Sequence, residues 1–167
     1  ETTGDGVAIF DLDNDGLMDV LLVNATTMDG KGRGENSTSH LYRNVGNMHF
    51  VDVTQKAGLG KVGWGQGACV GDYDNDGFAD LFVTAYGDPT LYHNNGDGTF
   101  TDVTEKAGLG AKTFEKHWST SAVWFDYDND GKLDLFVCSF VDYNKNLSFG
   151  DNQLGRHFYC IPRVFKP

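Results

Sequence analysis

The pattern Asp-x-Asp-x-Asp-Gly-x-x-Asp occurs three times in this 167-residue chain. The copies are Asp11-Leu12-Asp13-Asn14-Asp15-Gly16-Leu17-Met18-Asp19, Asp72-Tyr73-Asp74-Asn75-Asp76-Gly77-Phe78-Ala79-Asp80 and Asp126-Tyr127-Asp128-Asn129-Asp130-Gly131-Lys132-Leu133-Asp134. Four carboxylates around a glycine suit a tight loop, because the glycine permits the sharp turn. Apolar runs of strand character precede each copy: Val7 to Phe10, Ala68 to Val70 and Ala122 to Phe125. Val20 to Val23, Leu81 to Thr84 and Leu135 to Cys138 follow. Each copy therefore reads as strand, acidic loop, strand.

A second repeat sets the architecture. The stretch from Leu41 to Gly60, which contains Leu-Tyr-Arg-Asn and Asp-Val-Thr-Gln-Lys-Ala-Gly-Leu-Gly, returns 50 positions later from Leu91 to Gly110. It reads as strand, Gly-rich turn, strand and closing turn. Four short strands per unit predict an all-β chain of β-propeller blades. Each blade is a four-stranded antiparallel sheet, with the acidic loop between its first and second strands. The units are 1–60, with an incomplete start, 61–110, and 111–167, a partial blade and tail without the Leu-Tyr-x-Asn hairpin. About two and a half blades of one propeller-type domain are expected.

The loop chemistry points to Ca2+ at about three sites. Calcium takes six to eight oxygens, and alternate residues of a tight loop aim their side chains at one centre. The expected ligands are Asp11, Asp13, Asp15 and Asp19; Asp72, Asp74, Asp76 and Asp80; and Asp126, Asp128, Asp130 and Asp134. Leu17, Phe78 and Lys132 would contribute backbone carbonyls, which fits their unlike side chains. An EF-hand shares the first six positions but needs a glutamate at position 12 and flanking helices. Position 12 here is Leu22, Val83 or Val137, within strand-like runs. Magnesium keeps more of its waters and suits such a cage less well. Ordinary turns need one or two Asp or Gly residues, not four aspartates at fixed spacing in three places.

Charge supports the same reading. The net charge is -11, from 24 acidic and 13 basic residues. Four acids in each of three loops account for half of the acidic residues. Nucleic-acid binding needs a basic footprint and is not expected. No apolar run approaches the roughly 20 residues of a membrane span. Cys69, Cys138 and Cys160 lack zinc-ligand spacing, and the first two read as buried thiols in apolar strands. The start Glu1-Thr2-Thr3-Gly4 reads as processed or cut from a longer chain. Sequons at Asn24, Asn36 and Asn146, beside calcium loops, point to a secreted or cell-surface glycoprotein.

These loops resemble the FG-GAP/VCBS repeat, the calcium-loop blade also seen in integrin α-chain propellers. Asp-Tyr-Asp-Asn-Asp-Gly, Leu-Tyr-x-Asn-x-Gly and Asp-Val-Thr-x-Lys-Ala-Gly-Leu together resemble the ASPIC/UnbV and cartilage-acidic-protein group. The resemblance implies a secreted seven-bladed propeller with calcium at the blade loops and no catalytic centre in the blades. The tail from Asn144 to Pro167 is similar to that group as well. Tyr159-Cys160 is followed here by Ile161-Pro162, where the group has a glycine.

The expected function is a non-enzymatic scaffold, adhesive or structural, that recognises an extracellular protein or glycan. One alternative is a self-assembling filament subunit, a homo-oligomer completed by pairing of open β edges between chains. The other is a carbohydrate-active enzyme module. That reading needs a pair of carboxylates outside the loops, from Asp5, Glu35, Asp52, Asp102, Glu105 and Glu115. No nucleophile motif is present, and Asp29 to Gly34 lacks Walker spacing. His49 and His93 read as solvated turn residues, and His117 as an unpaired candidate. Trp118 aligns with Trp64 and is expected to pack between blades. The insertion from Asn24 to Ser39 is the longest non-repeat loop of the first unit; it reads as a plain flexible loop, with a recognition element as the alternative.

Overall fold

The computed structural model describes residues 6–26, 38–110, 114 and 117–142. Asn36, Asn146, Cys160, Asp5, Glu35, Glu115, the tail and most of the insertion lie outside the described residues.

The first sheet holds β1 (Val7–Phe10), β2 (Asp19–Leu22), β3 (His40–Asn44) and β4 (Phe50–Asp52), ordered as a meander β1-β2-β3-β4. The second repeats it with β5 (Gly65–Gly71), β6 (Asp80–Ala85), β7 (Thr90–Asn94) and β8 (Phe100–Asp102). The third pairs β9 (His117–Phe125) with β10 (Asp134–Asp142). All pairings are antiparallel. Registers repeat between sheets: Phe10 faces Asp19, Gly71 faces Asp80 and Phe125 faces Asp134. Each acidic loop thus closes the first hairpin of its sheet.

The repeated Asp-Val-Thr motif closes each four-stranded sheet. The Thr54 hydroxyl donates to Asp52 Oδ1 at 2.6 Å and accepts from the Leu41 backbone N–H at 2.9 Å. Thr104 does the same with Asp102 at 2.5 Å and Leu91 at 3.0 Å. The threonine fastens the end of the fourth strand to the start of the third. It also holds the Asp52 carboxyl below its ordinary range, helped by His40. Burial works to raise Asp102, but the bonds from Thr104 and Lys61 outweigh it and leave the group lowered.

The core lies where the first two sheets meet. Ala8, Phe10, Leu12, Leu21 and Leu41 of the first sheet pack with Leu81, Tyr92 and Phe100 of the second. Phe100 meets Phe10 edge to face, with ring centroids 6.4 Å apart. Its backbone N–H also donates to Ala57 at 2.8 Å, so the closing turn of one sheet clasps the outer strand of the next. Burying these side chains stabilises the junction at about 25 cal/mol per Å2 of apolar surface.

Glycines let the first strands of successive sheets approach closely. A Cβ on Gly6 would lie 2.5 Å from Gly67 Cα, and one on Gly67 would lie 2.9 Å from the Thr120 carbonyl oxygen. The Thr84 hydroxyl, 3.2 Å from the Gly67 carbonyl and 3.3 Å from that of Thr120, ties the second and third sheets there. Gly67→Ala should therefore cost about 1–3 kcal/mol through overpacking. Thermal unfolding should show it as a drop of about 2–4 °C per kcal/mol. Gly63→Ala, where the added methyl meets open space, should change stability by less than about 0.5 kcal/mol. Equal melting of both variants would contradict this account.

Trp118 packs between blades as expected. Its ring lies 5.3 Å from Trp64 and 5.8 Å from Tyr86. The cysteine expectation needs correction. Cys69 is half-buried, and burial pushes its thiol up to about 11. Cys138 is exposed. Strand alternation puts it on the same open face of β10 as Phe136, which is 56% exposed.

Candidate metal centre

The three acidic loops share one hydrogen-bond pattern. The first aspartate anchors the turn: Asp11 accepts from the N–H groups of Asp15 at 3.1 Å and Gly16 at 2.8 Å. Asp72 does so from Asp76 and Gly77, and Asp126 from Asp130 and Gly131. The fifth residue accepts from the seventh: Asp15 from Leu17, Asp76 from Phe78 and Asp130 from Lys132. The glycine at position 6 sits at φ 84, 92 and 85°, the left-handed region that glycine enters without penalty.

The ninth residue is a hub. Asp19 is buried and accepts from the N–H groups of Leu12 and Asn44, each at 2.7 Å. Asp80 accepts from Tyr73 at 3.1 Å and Asn94 at 2.8 Å. Asp134 accepts from Tyr127 at 2.9 Å. Asp19 and Asp80 thereby join the loop to the third strand of the same sheet. Burial raises both carboxyls, backbone N–H bonds oppose it, and neighbouring aspartates add to the rise.

Position 4 was not recognised from the sequence as a functional residue. Asn14, Asn75 and Asn129 all adopt left-handed φ, at 57, 59 and 60°, which asparagine tolerates better than most residues. Asn14 Nδ2 donates to the Gly77 carbonyl at 2.9 Å, and Asn75 Nδ2 to the Gly131 carbonyl at 3.2 Å. The first and second loops are thus each tied to the corresponding glycine of the next. The only signal was the recurrence of asparagine at this position in all three copies.

Ligand atoms converge within 4.8 Å in four groups: Asp11, Asp13 and Asp15; Asp72, Asp74 and Asp76; Asp126, Asp128 and Asp134; and Asp74, Asp80 and His93. Asp19 and Asp130 fall outside the groups of their own loops. The Asp13 Oδ1 atom is buried and has no hydrogen-bond partner. A buried acceptor left unmatched in a ring of carboxylates is the environment a cation satisfies. The three all-aspartate donor sets fit an oxygen-seeking dication.

A family model described as FG-GAP-like repeat matches residues 11–83 and again residues 72–137. The chain belongs to the FG-GAP-like repeat family. No curated protein matches it. FG-GAP-like repeats are propeller blades, so the two four-stranded sheets are blades and the third sheet is the first hairpin of another. The family is generally a non-catalytic scaffold.

The third strand of each of the two four-stranded FG-GAP-like blades adds a side chain to the site. Arg43 on β3 places Nη2 2.5 Å from Asp13 Oδ2 and 3.2 Å from Asp15 Oδ2. His93 holds the same register on β7. Its Nδ1 lies 3.3 Å from both Asp74 Oδ2 and Asp80 Oδ1. The expectation of a solvated turn histidine is therefore corrected for His93. It precedes the turn by two residues, and strand alternation points it at the loop. His49 is exposed in its turn, as expected. His117 stands at the start of β9, 3.4 Å from Ser139 Oγ, and joins none of the four groups. Of the spare acids, Asp52 is engaged with Thr54 and His40, and Asp102 with Thr104.

Proposed function

We propose that this FG-GAP-like chain is a non-enzymatic, calcium-binding propeller scaffold of an extracellular or cell-surface protein. It would present a protein- or glycan-recognition surface. Calcium is held by the loop aspartates at positions 1, 3, 5 and 9, with the carbonyls of Leu17, Phe78 and Lys132. The observation that carries this reading is the same loop hydrogen-bond pattern built three times, with three converging carboxylates in each loop and the orphaned Asp13 Oδ1 inside the first. The resemblance to the ASPIC/UnbV and VCBS groups supports secretion and a seven-bladed ring. No described helix is long and apolar enough to cross a membrane.

The metal serves the fold in this reading. Four carboxylates within a few ångströms repel one another, and a dication turns that repulsion into cross-linking. Each loop is bonded to the next through Asn14 and Asn75, so ordering one helps order its neighbour. A second reading, assembly through open β edges, draws on the third sheet. Val123, Phe125 and Phe136 are 50, 41 and 56% exposed there, a surface that another blade of the same kind would cover. Sedimentation velocity distinguishes a monomer from a concentration-dependent polymer.

Terbium, a luminescent stand-in for calcium, tests the sites directly. Tyr73 and Tyr127 are the second residues of their loops and lie close enough to pass excitation to a bound ion. Emission should rise on excitation of the aromatics and fall as calcium is added. Absence of emission, or emission that calcium does not displace, would contradict the proposal.

A further inference from the structure

We infer that the second loop also forms a mixed nitrogen–oxygen site for a transition-metal dication of the zinc class, built from Asp74, Asp80 and His93. The inference rests on the reading that these loops hold cations, and it names a preference that separates one loop from another.

The geometry is that of a site with its centre open. Transition-metal dications sit about 2.0–2.2 Å from imidazole nitrogen and carboxylate oxygen. Two such ligands are then about 3.3–3.6 Å apart at the tetrahedral angle and about 2.8–3.1 Å apart at a right angle. His93 Nδ1 lies 3.3 Å from Asp74 Oδ2 and 3.3 Å from Asp80 Oδ1. That nitrogen is inaccessible to solvent and has no hydrogen-bond partner, although the side chain as a whole is 25% exposed. A buried ring nitrogen that lies between two carboxylate oxygens, with a hydrogen bond to neither, can serve as a metal ligand when neutral.

The surroundings fix the three groups. Asp80 is fully buried, and the N–H groups of Tyr73 and Asn94 set the plane of its carboxylate. The Tyr73 ring meets His93 edge on at 6.3 Å and stacks on Trp124 at 5.9 Å. The His93 Nε2 side faces Asp76, with Oδ2 3.9 Å away. Supporting groups of this kind orient metal ligands and raise affinity.

The first loop shows why this differs from a general property of the repeat. Its residue in the same register is Arg43, whose guanidinium reaches Asp13 and Asp15. Guanidinium carries no lone pair for a metal and stays charged. It acts as a built-in cation, lowering the pull of the first loop on any dication while adding no ligand. One position on the third strand thus decides what each loop takes: an oxygen-only cage with a counter-charge in the first blade, a cage with a nitrogen donor in the second. Imidazole favours zinc and its neighbours over calcium.

The test is calorimetric titration of Zn2+, and separately of Ca2+, into the wild-type chain, His93→Asn and Arg43→His. Wild type should bind one Zn2+ that His93→Asn weakens by at least about tenfold, with calcium binding retained at the other loops. Arg43→His should gain a second Zn2+ site; because it adds a ligand, it tests the inference even if His93→Asn folds poorly. Equal Zn2+ affinity in wild type and a folded His93→Asn, with no second site in Arg43→His, would overturn the inference while leaving calcium binding intact. Loss of both Ca2+ and Zn2+ binding in the wild type would overturn the cation reading itself.

Discussion

Asp80→Ala should destabilise the second blade more than any other single loop substitution. The Asp80 carboxylate is fully buried and accepts the N–H groups of Tyr73 and Asn94. Alanine leaves both donors without a partner. An orphaned buried donor costs about 1–3 kcal/mol, and bonds to a charged acceptor lie at the upper end. A partial offset exists. Burial raises the Asp80 carboxyl above its unfolded value, so in the cation-free protein its charged form subtracts from stability at neutral pH. Stability tied to this group rises as pH falls through its folded pKa towards the unfolded one, and is lower above it. Removing the charge recovers that part. A net loss of about 3 kcal/mol remains, which lowers the melting temperature by about 2–4 °C per kcal/mol. Asp97→Ala, at an exposed turn where Asp97 accepts from Thr99, should lower stability far less than Asp80→Ala. Urea unfolding of the two variants checks the ranking. A fully stable Asp80→Ala would show that the ninth aspartate is not the hub of the loop.

The fold was largely legible because its signals are local and repeated. Short apolar runs at Val20 to Val23 and Leu81 to Thr84 mark strands, and β2 and β6 lie there. Glycine at position 6 announces a turn, and Gly16, Gly77 and Gly131 all have positive φ. What escaped depends on partners distant in sequence. Asn14 and Gly77 are 63 positions apart, and no local pattern joins them. Asn94 donates from its side chain to the Leu12 carbonyl, 82 positions away. His93 was misread because the repeat places it beside a turn, while its partners lie on the loop of the preceding hairpin. The alignment of Arg43 with His93 offered a clue: two nitrogen-bearing side chains in one register, each after a tyrosine. Cys138 escaped because apolar neighbours predict a strand but not which face of it is covered.

Chelation should produce the second large effect. A ligand that binds only the folded state, at a hundredfold excess over Kd, adds about 2.7 kcal/mol per site. Three loops linked through Asn14 and Asn75 would lose that support together. The repulsion among Asp11, Asp13 and Asp15 is partly relieved by Arg43, whereas the third loop has no described counterpart to it. The third loop should therefore loosen first as calcium is withdrawn. Amide hydrogen exchange would show earlier loss of protection at Asp130 and Gly131 than at Asp15 and Gly16.

If the loops are cation sites on which the blades depend, scanning calorimetry shows it in one preparation with excess chelator, with calcium restored, and with magnesium in place of calcium. Chelation should lower the melting temperature by roughly 5 °C or more, from the per-site figure of about 2.7 kcal/mol and the shift of about 2–4 °C per kcal/mol. Calcium should reverse it fully, and magnesium at the same concentration only in small part. Superimposable melting curves in all three conditions would contradict it.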